Sequence, residues 1–315
     1  MRAALLLFLG ASALVAQTPE QLFRERKLPE ARAAAQGLLA RDKNDANALY
    51  WMGRVADAEG RNSEALEWYD KAVKRDDNSA LFHFWLGRAL GEEAQAANKL
   101  RQPFLARRLK SEFERAVELD PKMLDPRMGL VDFYSMAPGF MGGGMDKARA
   151  QAAEIIRLNP MRGHLAYARI ANRQKDVAAE EKAFQDAITA APDSAQPYYS
   201  LAAFYRRFGR WDDAFATYDR LMKARPTEII AHLGWGAVSA LSGRSYDRGE
   251  RELKHFLANA RIDSVGTVNM AGAHFRLGQI YEKTERRDLA KASYGETLRI
   301  NPQHADAKKA LDALK

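Results

Sequence analysis

Residues 195–227 read AQPYYSLAAFYRRFGRWDDAFATYDRLMKARPT. Tyr198, Leu201, Ala202 and Tyr205 recur at the spacing of one helix face, Gly209-Arg210 interrupts them, Ala214, Tyr218 and Leu221 make a second face, and Pro226 ends it. Thirty-four residues further on, His232, Trp235, Gly236, Gly243-Arg244, Gly249, Leu253 and Phe256 take the corresponding places. A pair of short helices of this size cannot bury its own apolar face, so a chain built of such units must stack them.

The same scheme extends in both directions. Leu49, Met52, Gly53, Ala56, Gly60, Ala65, Tyr69 and Ala72 carry it upstream, Leu86-Gly87 follows Met52-Gly53 by 34 residues, and Leu277-Gly278, Tyr281, Ala290 and Tyr294 give a late copy. Pro121, Pro160, Pro192, Pro226 and Pro302 each close a unit at this spacing or a simple departure from it. Small residues at Gly53, Gly87, Ala202, Gly236 and Gly278, met by Ala65, Ala148, Ala214 and Ala290, let two helices approach closely. Tyr69, Phe113, Phe184, Tyr218 and Tyr294 fill the space that remains.

These residues resemble the tetratricopeptide repeat family over roughly residues 18–315. The resemblance implies an all-α fold, a right-handed α-solenoid of stacked antiparallel helix pairs. About seven full repeats are expected over 46–302, after a partial N-terminal repeat over 17–45 and before a C-terminal capping helix over 303–315. Three segments depart from the period, near 91–103, 137–145 and 263–270. The second, Ala137-Pro-Gly-Phe-Met-Gly-Gly-Gly-Met145, is a loop, since each glycine costs about 1 kcal/mol in a helix interior. Phe140 and Met141 either tuck under that loop as local core or, with Met145, form a partner contact.

In this family the first helix of each pair lines a concave groove. The ninth place of that helix holds Arg54, Arg88 and Arg169, with Arg173, Arg206 and Arg207 on or beside the same stripe. Tyr50, Phe84 and Tyr199 fall in the fifth place. Guanidinium groups beside flat rings suit carboxylates and extended peptide, so the resemblance implies a groove for an acidic or extended segment of a protein partner. The competing reading is a solvated face on which the arginines pair with neighbours such as Asp57 and Glu92. Family members that clamp chaperone tails carry lysines, asparagines and an arginine at set inward places. Here Tyr50, Trp85, Asp125 and Gly129 stand at the early places and only Arg276 matches late, which argues against that ligand.

Composition narrows the functional classes. The 315 residues include 49 Lys and Arg against 41 Asp and Glu, and no cysteine, so disulfides, thiolate nucleophiles and cysteine-based zinc sites are excluded. Arg2, the apolar run Ala3–Leu9 and the small residues through Ala16 read as an export signal over residues 1–16, cleaved after Ala16 or Ala13. Its removal takes Arg2 alone among the charged residues and leaves +7. The expected location is therefore periplasmic or secreted, in a bacterial envelope, with no membrane span after cleavage and no nucleic acid as partner. His83, His164, His232, His255, His274 and His304 are scattered and form no metal-ligand spacing, and no cofactor pattern or nucleophile motif is present. The reading is a non-catalytic protein-interaction scaffold. The alternative is a carbohydrate- or small-ligand-binding repeat protein that uses Trp51 and Trp85, one repeat apart, as an aromatic ladder.

Overall fold

The computed structural model describes residues 17–314, and the proposed export signal lies outside them. Among the described residues the chain is all-helical, with no strand, and it forms an α-solenoid of about seven helix pairs. The described residues divide into two compact units, one up to residue 151 and one from residue 152.

The first unit contains α1 (Pro19–Arg24), α2 (Leu28–Arg41), α3 (Ala46–Ala58), α4 (Asn62–Arg75), α5 (Ala80–Ala96), α6 (Gln102–Leu119), α7 (Leu124–Met136) and a 3-10 turn, η1 (Gly139–Met141). Helix α8 (Met145–Leu158) begins in it and carries the boundary. The second unit continues with α9 (Pro160–Gln174), α10 (Val177–Ala190), α11 (Ala195–Arg207), α12 (Trp211–Ala224), α13 (Ile229–Ser242), α14 (Tyr246–Asn259), α15 (Ile262–Lys283), α16 (Arg287–Ile300) and α17 (Ala305–Ala313).

Within each unit the core is the meeting of small residues with aromatic rings. A Cβ on Gly53 of α3 would stand 2.6 Å from the Tyr69 ring of α4, one on Gly87 of α5 2.6 Å from Phe113 of α6, and one on Gly278 of α15 2.5 Å from Tyr294 of α16. Phe113 also fills the space that Gly129 leaves on α7, so a single ring locks its own pair to the next. Ala65, Ala148, Ala214 and Ala290 are buried, as close helix crossing demands.

One detail departs from the sequence reading. Gly249, Leu253 and Phe256 stand thirty-five residues, not thirty-four, after Ala214, Tyr218 and Leu221. The extra residue is absorbed between α13 and α14, where Gly243 and Ser245 both take left-handed backbone conformations, φ +74° and +55°. Pro160 stands two residues past the end of α8, as Pro121, Pro192, Pro226 and Pro302 do after their helices, but it is also the first residue of α9, where its fixed φ and missing N–H suit a helix start.

The three departures from the period are built differently. Around 91–103 both helices are longer, 17 residues in α5 and 18 in α6, and Ala97–Arg101 connects them. The 137–145 segment turns through η1. There Gly142 has φ +92°, and a Cβ on Gly143 would collide with the carbonyl of Ala137. The 263–270 stretch lies within α15, whose first turn is broken from the rest at Gly266 (φ 80°, ψ 158°).

A recurring tie fixes the turns between pairs. The fourth residue of α5, α7 and α11 reaches back to the carbonyl six residues earlier. His83 Nε2 lies 2.9 Å from the Asp77 oxygen, Arg127 Nη2 donates to Pro121 at 2.9 Å, and the Tyr198 hydroxyl donates to Pro192 at 3.2 Å. Each carbonyl lies just past a helix end, where no intrahelical donor exists, and the tie satisfies it.

Candidate functional site

Each unit has its own arginine site. In the first, Arg54 sits on α3 among four aromatic rings: its guanidinium carbon lies 3.7 Å from the Trp85 centroid, 4.8 Å from Phe23, 5.8 Å from Tyr50 and 5.9 Å from Trp51. Nη1 donates to the Tyr50 hydroxyl at 2.8 Å, and Nε is buried with no hydrogen-bond partner. Among the described residues no carboxylate pairs with this guanidinium. Burial pushes the Tyr50 hydroxyl pKa up, and the Arg54 contact offsets that in part. The rings come from three helices, so stacking α1, α3 and α5 creates the box. A cation held over such rings gains about 0.5–2 kcal/mol per good contact, depending on desolvation.

Arg88, one repeat later, differs. It is exposed, lies 4.6 Å from the same Trp85 ring, and pairs with Asp57 at 3.4 Å and Glu92 at 3.1 Å. The local pairing expected of a solvated face therefore holds at Arg88 and not at Arg54.

The fifth-place aromatics are not an open platform. Tyr50 is buried, stacked on Phe82 at 5.2 Å between centroids. Phe84 packs on Trp85 and Phe113, and the half-buried Tyr199 gives its hydroxyl to Glu228 at 2.9 Å. Of the two tryptophans, Trp85 has Arg54 and Arg88 over its ring, and Trp51 packs at a tilt on Phe23 and edge-on with Tyr50.

In the second unit Arg207 is structural. Nη2 meets the buried Glu180 at 2.5 Å, and Asn172 donates to both oxygens of that carboxylate at 3.2 Å. Arg206, in the last turn of α11, is half-buried, has no carboxylate partner among the described residues, and its Nε is buried without a hydrogen bond. Arg276 on α15, which the groove reading leaves out, is also half-buried. Its Nη1 donates to Gln279 at 2.7 Å, and no described carboxylate pairs with it. Burial first, then the Arg206 guanidinium, pull its pKa below the usual arginine value, partly countered by Asp306. Arg169 and Arg173 are carried on α9 beside one another's turn, the latter exposed.

The loop residues separate as well. Phe140 is exposed, against the expectation that it tucks into local core, while Met141 and Met145 are half-buried. The turn is held by its backbone: Gly144 N–H donates to the Tyr134 carbonyl at 2.8 Å, so the Phe140 ring is not needed to close it. Sequence reasoning misses Phe23 as a site residue because it belongs to the partial repeat, where no periodic place marks it.

Comparison with known proteins bears on the fold. The tetratricopeptide repeat model matches residues 21–80, 142–195 and 181–229, and a second model of the same repeat matches 271–304. The chain is similar to a tetratricopeptide repeat protein from Parabacteroides merdae over 94% of this chain and 95% of that one, at 11% identity and a TM-score of 0.55. A thermophilic TPR protein of Thermus thermophilus matches over 70% and 94%, at 18% identity and a TM-score of 0.42. YrrB, a TPR protein with an unusual peptide-binding site, matches over 63% and 96%, at 16% identity and 0.43. The first likeness shows the fold alone, and the other two are too distant to carry an argument. No curated protein matches the sequence. Matched over more than half its length by models of one repeat, the chain belongs to the tetratricopeptide repeat family.

Proposed function

We propose that the protein is a non-catalytic interaction scaffold that holds an acidic or extended segment of a partner protein on the first helices of its repeats. Residues 2–16 further motivate an exported, envelope-located scaffold. Tetratricopeptide repeats generally mediate protein–protein interactions.

The observation that carries this reading is Arg54. Its guanidinium is placed by four rings and one hydroxyl, yet no acid among the described residues neutralises it. A partner carboxylate would find a charge that is already oriented, so little side-chain entropy is lost on binding. Arg206 and Arg276 give the second unit a similar unneutralised pair.

The test is in-cell crosslinking of the C-terminally tagged full chain in its native host, read by mass spectrometry. One stoichiometric partner should be recovered and then lost with Arg54→Glu, while Arg88→Glu, whose parent residue already pairs with two acids, should weaken it less. Recovery unchanged by Arg54→Glu sinks the proposal for this site.

A further inference from the structure

The two insertions of the first unit lie toward one end of it, and the surface there differs from the rest. Helices α6 and α7 run antiparallel: Phe113 faces Gly129, and further toward the start of α6 the Lys110 side chain lies 3.6 Å from the position a Gly142 Cβ would take. The start of α6, with the α5–α6 connection before it, therefore lies at the same end as the end of α7 and η1. Lys147 ties this end further, donating to the Gly142 carbonyl at 3.1 Å.

Four large apolar side chains protrude there: Leu100 is 82% exposed, Phe104 73%, Met136 60% and Phe140 86%. Among the described residues only Val268, in the other unit, is comparably bare. They stand within a basic field. Residues 94–111 contain Lys99, Arg101, Arg107, Arg108 and Lys110 and no Asp or Glu. Three of these are engaged: Arg101 with Glu93, Arg108 with Asp70 and Glu112, and Lys110 with Glu114. Lys99 and Arg107 have no acidic partner among the described residues, and Lys147 lies beside the exposed Asp146. Leu105 and Leu109 of the same helix pack inward, so the apolar exposure of Phe104 is not a misplaced core position.

We propose that this end of the first unit is a contact for an anionic lipid surface. Exposed apolar side chains accompanied by cations of the same segments suit a bilayer interface: the side chains enter the acyl boundary while Lys and Arg heads remain at the phosphates. A protein partner is ordinarily met by an apolar centre depleted of lysine, whereas Lys99 and Lys110 stand in this segment. Both insertions add chain where the repeat needs none, and both place an apolar residue at the tip.

The absence of cysteine allows a local test in the full chain. Phe104→Cys, Phe140→Cys and, as a control, Val268→Cys are each labelled with a nitrobenzoxadiazole dye, whose emission rises in an apolar medium. Each is then mixed with vesicles of phosphatidylglycerol or of phosphatidylcholine. Because the dye reports on its own position, residues 1–16 do not decide the outcome. Emission at 104 and 140 should rise at least about twofold with phosphatidylglycerol, fall back with salt, and stay flat at 268. Adding Lys99→Glu and Arg107→Glu should raise the lipid needed about tenfold or more while the circular dichroism melt is unchanged. Three results overturn the proposal: no change at 104 and 140, an equal change at 268 or with neutral vesicles, or a change produced by host proteins and not by lipid.

Discussion

His83 Nδ1 lies 2.6 Å from Glu112 Oε2, and its Nε2 faces the Asp77 carbonyl, so both ring nitrogens of one buried imidazole point at acceptors. Both bonds are made only when the ring carries two protons, as imidazolium. Burial pulls the pKa down, but the hydrogen bond to Glu112, then that to Asp77, and then the Glu112 charge outweigh it against Arg115, and the pKa stands above the ordinary histidine value. The folded state therefore holds the proton more tightly than the unfolded chain. Its contribution is fully present below the unfolded pKa of about 6.5 and is lost as pH rises through the raised folded value. The urea midpoint should fall across that window in the wild type, and the fall should shrink in His83→Asn. Equal pH profiles for the two would contradict the doubly bonded ring.

Gly53 and Gly37 should respond to alanine with opposite signs. At Gly53 the added methyl meets the Tyr69 ring, so Gly53→Ala should cost about 1–3 kcal/mol by overpacking. At Gly37, inside α2, nothing lies within 4 Å, and Gly37→Ala should gain about 0.5–1 kcal/mol. Denaturation of the two variants side by side checks this pair.

Lys175 and Glu285 hold φ +59° and +58° at turns where other repeats use Gly60 and Gly209. A side chain in that region costs about 1–2 kcal/mol, against which glycine loses backbone entropy. Lys175→Gly and Glu285→Gly should each stabilise by about 0.5–1 kcal/mol, measured as a rise in denaturation midpoint.

Arg207→Ala leaves the buried Glu180 with Asn172 and no cation. The loss should be about 1–3 kcal/mol, moderated by the half-exposed arginine. Glu180→Leu with Arg207→Leu should recover most of it. Binding to a groove partner should change no more than stability does, which separates Arg207 from Arg54.

Much of the fold was legible because close packing writes itself locally. A glycine in one helix and an aromatic in the next, as in Gly53 with Tyr69 or Gly278 with Tyr294, recur at a fixed distance along the chain. The slipped register at Ser245 was not, since one added turn residue leaves each helix face intact and shows only when both helices are counted. At the candidate site, the Arg88–Glu92 pair is a one-turn neighbour and readable. Arg207 with Glu180, twenty-seven residues apart, depends on how two pairs stack, and Phe23 reaches Arg54 from a helix outside the periodic pattern. Exposure of Phe140 follows from a loop closed by backbone bonds, which composition does not disclose.

The ties from His83, Arg127 and Tyr198 bear on where this array can be divided. Each of these three inter-repeat turns is held by the helix that comes after it, through an imidazole, a guanidinium or a phenol. A repeat transplanted with its own trailing turn would arrive with a carbonyl whose donor had been left behind. The natural seam for recombination thus lies before Asp77, Pro121 and Pro192, so that the heritable module is a turn followed by two helices rather than two helices followed by a turn.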